Sequence, residues 1–380
     1  MIRPDVLASE RPYGPWASRG CDVWDTFLAA EAGDALALRR LLARDPNLAR
    51  AEYWYTRPLH IAVREGHLEA TGVLLDAGGG NVSTVINEDA VTVARDRGYE
   101  GVARLVEDFR ASSARGEARG NAPPPEPASA RLGAALHDAA SAGDRTLVER
   151  LLAEGADPNF HMDSSGSATY AAKTPEIRAL LFAHGGTLDA FDLVWLGEDD
   201  EVVRRVAADP SAAHSGCGGV FTAACKLGKR ELLVRLLDAG ARVPPVLTLC
   251  RSYLMSDPGM LSLLLASGMD PDLPNWQVST PLHDLCGRDG RGRPRPNRAE
   301  CAGILLDAGA AISTRDEEYR STPLAWAARN GLDDMVELLL VRGAATNLPG
   351  DVPWATPLAW AKRREYGYVE EILRRAGAAA

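Results

Sequence analysis

Two stretches near the end of the chain decide the fold: Thr322-Pro-Leu-Ala-Trp-Ala-Ala-Arg-Asn-Gly331 and Thr356-Pro-Leu-Ala-Trp-Ala-Lys-Arg363. Their starting positions give a period of 34 residues. Each stretch is followed by a helical pattern of apolar residues and then by a Gly-Ala turn, at Gly343 and Gly377. Self-similarity at such a period predicts a repeat solenoid, in which stacked helical units share one core.

A glycine turn between paired helices recurs along the chain, since glycine adopts the left-handed conformation that ends a first helix. It is found at Gly33, Gly66, Gly98, Gly143, Gly228 and Gly331. A second marker ends the second helix of a unit: two apolar residues followed three positions later by glycine, as in Leu339-Leu340 before Gly343. Together the markers predict about eleven units, of which those near 165–188 and 189–215 are degenerate.

Several segments resemble the Thr-Pro-Leu-His-x-Ala signature of the ankyrin repeat family. They are Tyr55-Thr-Arg-Pro-Leu-His-Ile-Ala-Val-Arg-Glu-Gly66, Ser279-Thr-Pro-Leu-His-Asp-Leu-Cys286 and, for the family's turn, Glu154-Gly-Ala-Asp-Pro-Asn159. The resemblance covers nearly the whole chain. It implies an all-α ankyrin-repeat solenoid of antiparallel helix pairs with protruding finger turns, and a concave face made of fingers and first helices. Arg57, Ala325 and Ala359 depart from the signature.

These features divide the chain into four parts. Residues 1–21 are an N-terminal extension, residues 22–109 hold about three ankyrin-like units, and residues 131–380 hold about eight, with a C-terminal cap at 356–377. Residues 110–130 contain four prolines and almost no large apolar side chain. Such a segment cannot bury enough apolar surface to offset its ordering entropy, so we expect a flexible linker.

Charge and hydropathy exclude some classes of function. The formal net charge is −10 and the isoelectric point is near 5.3. This charge argues against nucleic acid as the partner, because phosphate backbones are bound by basic surfaces. No run of 18 apolar residues exists and residues 1–16 do not resemble a signal peptide, so we expect no membrane insertion and a cytoplasmic location.

The remaining composition predicts a protein without metal or cofactor. None of the six cysteines forms a Cys-x-x-Cys pair, and we expect them to be buried apolar residues in a reducing cytoplasm. No nucleotide-binding loop, zinc-protease motif or nucleophile elbow is present. We expect a monomer. The preference for Arg over Lys and the abundance of Ala favour a bacterial genome of high GC content.

Aromatic residues cluster where finger turns are expected, a few residues before helix starts. Exposed aromatics are favoured anchors of binding sites, although each ring could instead pack on a neighbouring finger. Trp326 and Trp360 occupy a first-helix position that is normally apolar and faces the concave side. The predicted partner-binding residues are therefore Trp54, Tyr55, Trp276, Tyr319, Trp326, Trp354 and Trp360.

Carboxylates share that first-helix position in other units, at Asp138, Asp284 and, in a degenerate unit, Asp192. A groove with Trp faces and carboxylates suits a carbohydrate or a cation, and two carboxylates could act as acid and base on a glycoside. If the chain were an enzyme, these three residues would be its catalytic residues. The alternative is that Trp fills the core and Asp pairs with His or Arg.

Two further groups of residues invite a functional interpretation. An insert at 287–298 carries five arginines, and Arg291, Arg293 and Arg295 could bind an anion, unless the loop is only a solvated one. His60, His137 and His283 follow the family signature and are expected to be structural. The sequence as a whole favours a scaffold or adaptor that binds a protein partner through its aromatic-rich face. The alternative is binding or processing of a small polar ligand.

Overall fold

The computed structural model describes residues 1–8, 10, 12–14, 18–80, 89–115, 128–160, 166–214, 219–243, 254–289 and 292–378. These residues form two compact units, one of Arg3–Leu188 and one of Asp189–Ala380 together with Met1–Ile2. Both units consist of stacked helix pairs, which confirms the prediction of an all-α ankyrin-repeat solenoid.

The unit of Arg3–Leu188 contains five helix pairs among its described residues. They are Gly20–Ala32 with Ala35–Arg44, Pro58–Glu65 with Leu68–Leu74, Ala90–Asp96 with Glu100–Ala114, Ala128–Ala142 with Arg145–Ala153, and Ala168–Ala171 with Pro175–Ala183. Short helical turns cover Asp5–Ala8, Pro46–Arg50 and Leu75–Gly79. Two short strands, Pro12–Tyr13 and Ser18–Arg19, pair antiparallel before the first helix.

The unit of Asp189–Ala380 continues the same pattern. Its helix pairs are Ala190–Leu196 with Asp199–Ala208, Gly219–Lys226 with Arg230–Asp238, Pro281–Leu285 with Arg298–Asp307, Pro323–Arg329 with Asp333–Val341, and Pro357–Arg363 with Gly367–Arg375. Helix Pro258–Ala266 is a further second helix, and short turns cover Pro210–His214 and Pro353–Ala355. The part of the chain that is described thus holds ten complete pairs, and the count of about eleven stays a prediction.

Within each unit the helices form two layers. First helices pack on the first helices of neighbouring pairs, and second helices pack on second helices. In the last two pairs, Leu324 and Leu358 of the first helices and Leu339 and Leu373 of the second helices are buried between the layers. We call the surface carried by the first helices and their preceding finger turns the first-helix face.

Helix starts follow the sequence signature where threonine directly precedes proline. The hydroxyls of Thr322 and Thr356 accept hydrogen bonds from the backbone N–H groups of Ala325 and Ala359, at 3.3 and 3.2 Å. Proline occupies the first turn of both helices, where its missing N–H costs nothing. Arg57, which departs from the signature, makes no side-chain cap.

His283 has the structural role that the sequence predicted. Its Nδ1 accepts a hydrogen bond from the backbone N–H of Thr280 at 3.2 Å. Its Nε2 lies 3.0 Å from the carbonyl oxygen of Ser321 in the next finger. Where Ala325 replaces histidine, the hydroxyl of Ser321 links the fingers instead, because it donates to the carbonyl of Ala355 at 3.1 Å.

Three of the glycine turns between paired helices, at Gly33, Gly66 and Gly331, are covered by aromatic rings of the following repeat. Gly66 and Gly331 have φ values of 81° and 62°, in the left-handed region that favours glycine. A Cβ atom at either position would lie 2.8 Å from a ring, that of Tyr99 or that of Tyr366. A Cβ atom at Gly33 would lie 2.5 Å from the ring of His67. At Gly98, among the residues described, no atom comes within 4 Å of such a Cβ.

The ends of the predicted linker are helical, which corrects the expectation for 110–130. One helix continues to Ala114 and the next begins at Ala128. Both ends are rich in alanine, the residue with the highest helix propensity. Residues 116–127 lie outside the described residues. The division between the two compact units falls at Leu188 and Asp189, and the predicted domain boundaries stay a prediction.

Candidate functional site

Three of the predicted binding aromatics are buried. The exposed fraction is 2% for Trp276, 7% for Tyr319 and 0% for Trp360. The expectation that these rings are exposed is therefore wrong. The reason is that neighbouring fingers and first helices stack closely enough to cover one another's side chains, as the nearby rings of Tyr319 and Trp360 show.

Four rings form what we call the aromatic cluster: Tyr319, Trp326, Trp354 and Trp360. Tyr319 lies edge-to-face with Trp326 and with Trp360, at centroid distances of 5.2 and 5.8 Å. Trp354 lies edge-to-face with Trp360 at 5.9 Å. Each such pair stabilises the fold by about 0.5–1.5 kcal/mol, in addition to the free energy gained by burying its surface. Trp326 and Trp354 remain partly exposed, so a rigid buried core holds two indole surfaces at the first-helix face.

Arginines stack on the aromatic cluster. The guanidinium carbon of Arg329 lies 4.0 Å from the ring centre of Tyr319 and 5.2 Å from that of Trp360. Arg363 approaches the other side of the cluster, 5.0 Å from the ring centre of Trp360. Because guanidinium groups are attracted to aromatic faces, these contacts fix the positions of cations beside the partly exposed indoles.

Trp54 and Tyr55 lie in the other compact unit, in a finger closed by a backbone bridge between Tyr53 and Thr56. Both have positive φ, 51° and 57°, which is unfavourable for residues other than glycine. Tyr55 is exposed and Trp54 partly so. Strained residues are found more often at functional positions than elsewhere, so this finger stays a predicted binding element.

The three predicted carboxylates are not gathered at one site. Asp192 is buried: its side chain accepts a hydrogen bond from the N–H of Asp189 at 3.1 Å, and Asp189 accepts one from the N–H of Asp192 at 2.8 Å. Asp192 thus fills the position of the family's histidine, one residue earlier than predicted, because its first helix ends at Gly197. Asp138 is exposed and belongs to the other compact unit.

Asp284 does occupy the first-helix position that the sequence predicted and is partly buried. Its backbone carbonyl accepts a hydrogen bond from Nε of Arg295 at 2.8 Å. With Asp192 buried as a helix cap, Asp192 and Asp284 do not form the pair of available carboxylates that acid–base chemistry on a glycoside requires. The carbohydrate alternative therefore loses the arrangement on which it depended.

The arginine-rich insert folds back on its own unit. A backbone bridge joins Arg288 to Pro294, and Arg288 donates to the carbonyl of Asn330 at 2.6 Å. Arg293 pairs with Asp289 at 2.8 Å. These contacts use the arginines to hold the insert, so the anion-binding hypothesis for Arg293 and Arg295 stays a prediction without added support. Arg291 lies outside the described residues.

The sequence missed one further aromatic site on the first-helix face. Phe191 and Trp195 lie one helical turn apart with ring centres 6.1 Å from each other, and the ammonium group of Lys226 is 4.8 Å from the ring centre of Trp195. The unit is degenerate because Asp189 replaces the usual threonine, and the search for Thr-Pro-Leu therefore passed over it. The spacing of two aromatics at i and i+4 was the available signal.

A groove elsewhere on the molecule contains none of the predicted site residues. It has a volume of about 670 Å³ and lies between helices Gly20–Ala32 and Ala35–Arg44. Within the described residues, no group of three or more His, Cys, Asp or Glu side chains could hold a metal ion. None of the helices described is both long and apolar enough to cross a bilayer.

The described cysteines are free thiols, and Cys225, Cys286 and Cys301 are buried. Burial raises the pKa of the Cys286 thiol far above its ordinary value and raises the pKa of Cys301 to about 11. Both therefore stay protonated near neutral pH, and a protonated thiol is a poor nucleophile. Cys217 and Cys250 lie outside the described residues.

Comparison with known proteins finds repeats and two plant relatives. The chain is 42% identical over 98 residues to a protein named "Probable E3 ubiquitin-protein ligase XBOS31" from Oryza sativa subsp. japonica, which covers 25% of this chain and 22% of that protein. It is 44% identical over 68 residues to "E3 ubiquitin-protein ligase XB3" from the same plant, covering 17% and 15%. The chain thus spans about a fifth of the length of these relatives. They lend no support to the predicted bacterial origin, which stays a prediction.

The family model for the ankyrin repeat matches residues 57–87, 134–163 and 319–351. The first and third segments contain both helices of a pair, and the second contains most of helix Ala128–Ala142 and all of helix Arg145–Ala153. Together with the stacked helix pairs of both compact units, these three matches show that the chain contains ankyrin repeats.

Proposed function

We propose that this chain is a scaffold or adaptor that binds a protein partner through the first-helix face of its Asp189–Ala380 unit. Ankyrin repeats imply protein–protein interaction, and the first-helix face is where this unit offers anchors. The observation that supports the proposal most is the aromatic cluster, whose buried rings of Tyr319 and Trp360 hold Trp326 and Trp354 partly exposed.

Rigid, partly exposed indoles suit a binding site for physical reasons. A tryptophan that is already held in place loses little conformational entropy when a partner covers it. Hot spots of protein interfaces are enriched in Trp, Tyr and Arg, and all three residue types meet in the aromatic cluster and beside it. We propose Trp326 and Trp354 as the contact residues, and Tyr319 and Trp360 as the residues that position them.

The finger of Trp54 and Tyr55 is proposed as a second contact element, in the other compact unit. Its two residues hold positive φ values, and its rings are packed edge-to-face, with a centroid distance of 6.5 Å. The binding form is proposed to be a monomer in the cytoplasm. Light scattering coupled to size-exclusion chromatography tests whether the chain is a monomer. The names of the plant relatives suggest selection of proteins for ubiquitin transfer as one setting for such recognition.

Site-specific photo-crosslinking tests the proposed face. Benzoylphenylalanine is placed at Trp354 or Trp326 and, as a matched control, at Val341, which is 84% exposed on a second helix. In an extract of the source organism, we expect both face positions to capture the same protein and Val341 to capture none of it. Equal capture at Val341, or different proteins at the two face positions, would contradict the proposal. Circular dichroism of each variant checks its fold.

A further inference from the structure

Met1 and Ile2 lie on the fingers of the Asp189–Ala380 unit. The N–H of Ile2 donates a hydrogen bond to the carbonyl oxygen of Trp276 at 2.7 Å. The ammonium group of Met1 lies 2.5 Å from Oε1 of Glu317, and the side chain of Met1 is buried. End segments of domains are usually poorly ordered unless specific contacts hold them. These two contacts therefore mark a place where an extended peptide is held by its amino end.

The finger at 275–279, which carries Trp276, is closed by its own hydrogen bonds. Oδ1 of Asn275 accepts hydrogen bonds from the backbone N–H groups of Gln277 and Ser279, both at 2.9 Å. The N–H of Asn275 donates to the carbonyl oxygen of Ser279 at 2.9 Å, and the ring of Trp276 is buried. The carbonyl oxygen of Trp276 is thus held in place before a peptide reaches it, which lowers the entropic cost of binding.

A second finger, at 316–321, lies beside the first and carries the carboxylate. The N–H of Glu317 donates to the carbonyl oxygen of Gln277 at 3.3 Å, and the side-chain amide of Gln277 lies 3.5 Å from Oε2 of Glu318. Asp316 accepts a hydrogen bond from the N–H of Tyr319 at 2.9 Å. Asp316 and Glu318 therefore hold the fingers themselves, and Glu317 is the carboxylate that meets the ammonium group.

The surroundings of Glu317 favour a positively charged donor as its partner. Its side chain is 28% exposed, and its Oε2 is buried with no hydrogen-bond partner among the residues that the structure describes. A carboxylate in such a place is costly unless charge or hydrogen-bond donors compensate it. An α-ammonium group supplies a positive charge and three N–H donors, as the ammonium group of lysine does. The contact with Met1 therefore compensates this carboxylate.

We propose that the two fingers together form a binding site for the free N-terminus of an extended peptide, which Met1 and Ile2 occupy in this structure. The carboxylate of Glu317 binds the α-ammonium group, and the carbonyl oxygen of Trp276 binds the N–H of the second residue. Capture of a terminal ammonium group and backbone hydrogen bonding are recurring modes of peptide recognition. The ligand class is a peptide with a free α-ammonium group, an apolar first residue and a second residue other than proline, which has no N–H.

A free N-terminus fits this site better than a lysine side chain does. In a free N-terminus the ammonium group and the next N–H are one residue apart, which is the separation that Glu317 and Trp276 accommodate. In lysine a flexible four-carbon stem separates the ammonium group from the backbone. The inference goes beyond the proposed function and does not depend on it, because none of its contacts involves Trp326 or Trp354.

Acylation of the α-amine tests the site in the full chain that begins at Met1. A limiting amount of an N-hydroxysuccinimide ester reacts with free amines, and peptide mapping by mass spectrometry gives the rate at Met1. Because a bound ammonium group is protected, Glu317→Gln should raise this rate about tenfold through loss of one charge-assisted hydrogen bond. The matched control is Glu337→Gln, at an exposed glutamate of a second helix, which should leave the rate unchanged. Equal rates in the two variants would overturn the proposal.

Binding of a free peptide tests the site without its intramolecular occupant. In what we call the vacated chain, Gly-Ser-Gly-Ser precedes Met1, and Ile2→Pro removes the N–H that Trp276 binds. The probe is a peptide of residues 1–8 with fluorescein at its carboxyl end. The control peptide is acetylated at its amino end and carries one added lysine beside the fluorescein, so that its net charge is the same.

Fluorescence polarisation should show that the free peptide binds the vacated chain about tenfold more tightly than the acetylated peptide does. Glu317→Gln in the vacated chain should abolish this difference, and Glu337→Gln should preserve it. Circular dichroism checks that each variant keeps its helical content. The proposal fails if the free peptide does not bind the vacated chain, or if the two peptides bind it equally well.

Discussion

Arg64 and Arg329 occupy the same position in two repeats, seven residues after the helix starts at Arg57 and Thr322, and both are buried. The contacts described for them differ. Arg64 lies 2.7 Å from a carboxylate oxygen of Glu65 and 3.7 Å from one of Glu31, in the preceding repeat. Arg329 stacks on two rings, those of Tyr319 and Trp360.

The difference shows two ways to place a guanidinium group inside a repeat stack. A buried charge is costly unless it is paired or otherwise compensated. In the N-terminal repeats the compensation is ionic, and Arg97 adds a hydrogen bond to the backbone carbonyl of Arg64. In the C-terminal repeats aromatic rings contribute to it, since Arg329 stacks on Tyr319 and Trp360. The aromatic solution also generates the proposed binding face, because the rings that receive Arg329 are those that support Trp326 and Trp354.

Replacing Arg64 tests the ionic solution and has the largest expected effect. Arg64→Met should lower the free energy of unfolding by about 3 kcal/mol, because it leaves two carboxylates beside an apolar side chain. Urea denaturation followed by circular dichroism measures the loss. The control is Arg39→Met, which breaks an exposed pair with Glu69 at 3.4 Å and should cost less than about 1 kcal/mol. Equal losses would contradict the ionic account.

The next largest effect on stability is expected at the glycine turns, which the N-terminal and C-terminal repeats share. Gly66→Val and Gly331→Val should each cost about 1–3 kcal/mol, because a β-branched residue is strained at positive φ and its Cβ would enter the ring of Tyr99 or Tyr366. Gly343→Val, at a φ of 91° with no atom within 4 Å of a Cβ among the described residues, isolates the strain alone and should cost less. An unchanged melting curve for Gly331→Val would contradict the turn geometry.

Replacing Arg329 by lysine tests how much the stacking of its guanidinium group on aromatic rings stabilises the C-terminal repeats. Lysine keeps the charge but loses the planar group that stacks on Tyr319, so Arg329→Lys should cost about 1 kcal/mol. Because the ring contacts of Arg329 are buried and little screened, the loss should change little between low and high salt, whereas the loss for Arg39→Met, which breaks an exposed pair, should shrink in high salt. Thermal melts at two ionic strengths measure this, and a strong salt dependence for Arg329→Lys would refute it.

The smallest effect is expected at an exposed carboxylate. Asp138→Asn should change stability by less than about 0.5 kcal/mol, because its side chain is 78% exposed. Asp192→Ala should cost about 1 kcal/mol, since it removes a buried partner of a helix cap. Thermal denaturation of the two variants gives a baseline for the buried arginines. A large loss at Asp138 would show a structural contact that its exposure does not reveal.

The sequence predicted the fold well because each repeat carries its own local signals. Threonine caps, prolines in the first turn and glycines at helix ends act within about ten residues, so Thr322, Pro323 and Gly331 could be interpreted without knowledge of any neighbour. The resemblance to the ankyrin family rested on the same signals. Where these signals are weaker, as at Asp189, the predicted repeat positions were shifted by one residue. Asp192 was therefore assigned to the position after the histidine instead of to that of the histidine itself.

The site was predicted less well because burial depends on the next repeat. Trp276 and Trp354 both lie in fingers, a few residues before a helix start, yet one is buried and the other partly exposed. Nothing in either local sequence says how closely the neighbouring finger packs. The arginines of the insert show the same limit, since a pattern of charge does not reveal that Arg288 donates to the carbonyl of Asn330.

The rings that cover the glycine turns have a consequence for how such a chain can change its number of repeats. The glycine of one repeat and the ring of the next, such as Gly66 and Tyr99, form a matched pair that spans a repeat boundary. A repeat that is inserted or deleted there must again place a glycine opposite a ring at each new repeat boundary. At Gly98, where no atom among the described residues crowds a Cβ, no such match is required. The same holds at Gly197 and Gly228, where no described atom lies within 4 Å of such a Cβ, so insertion of a repeat is least constrained after these three turns.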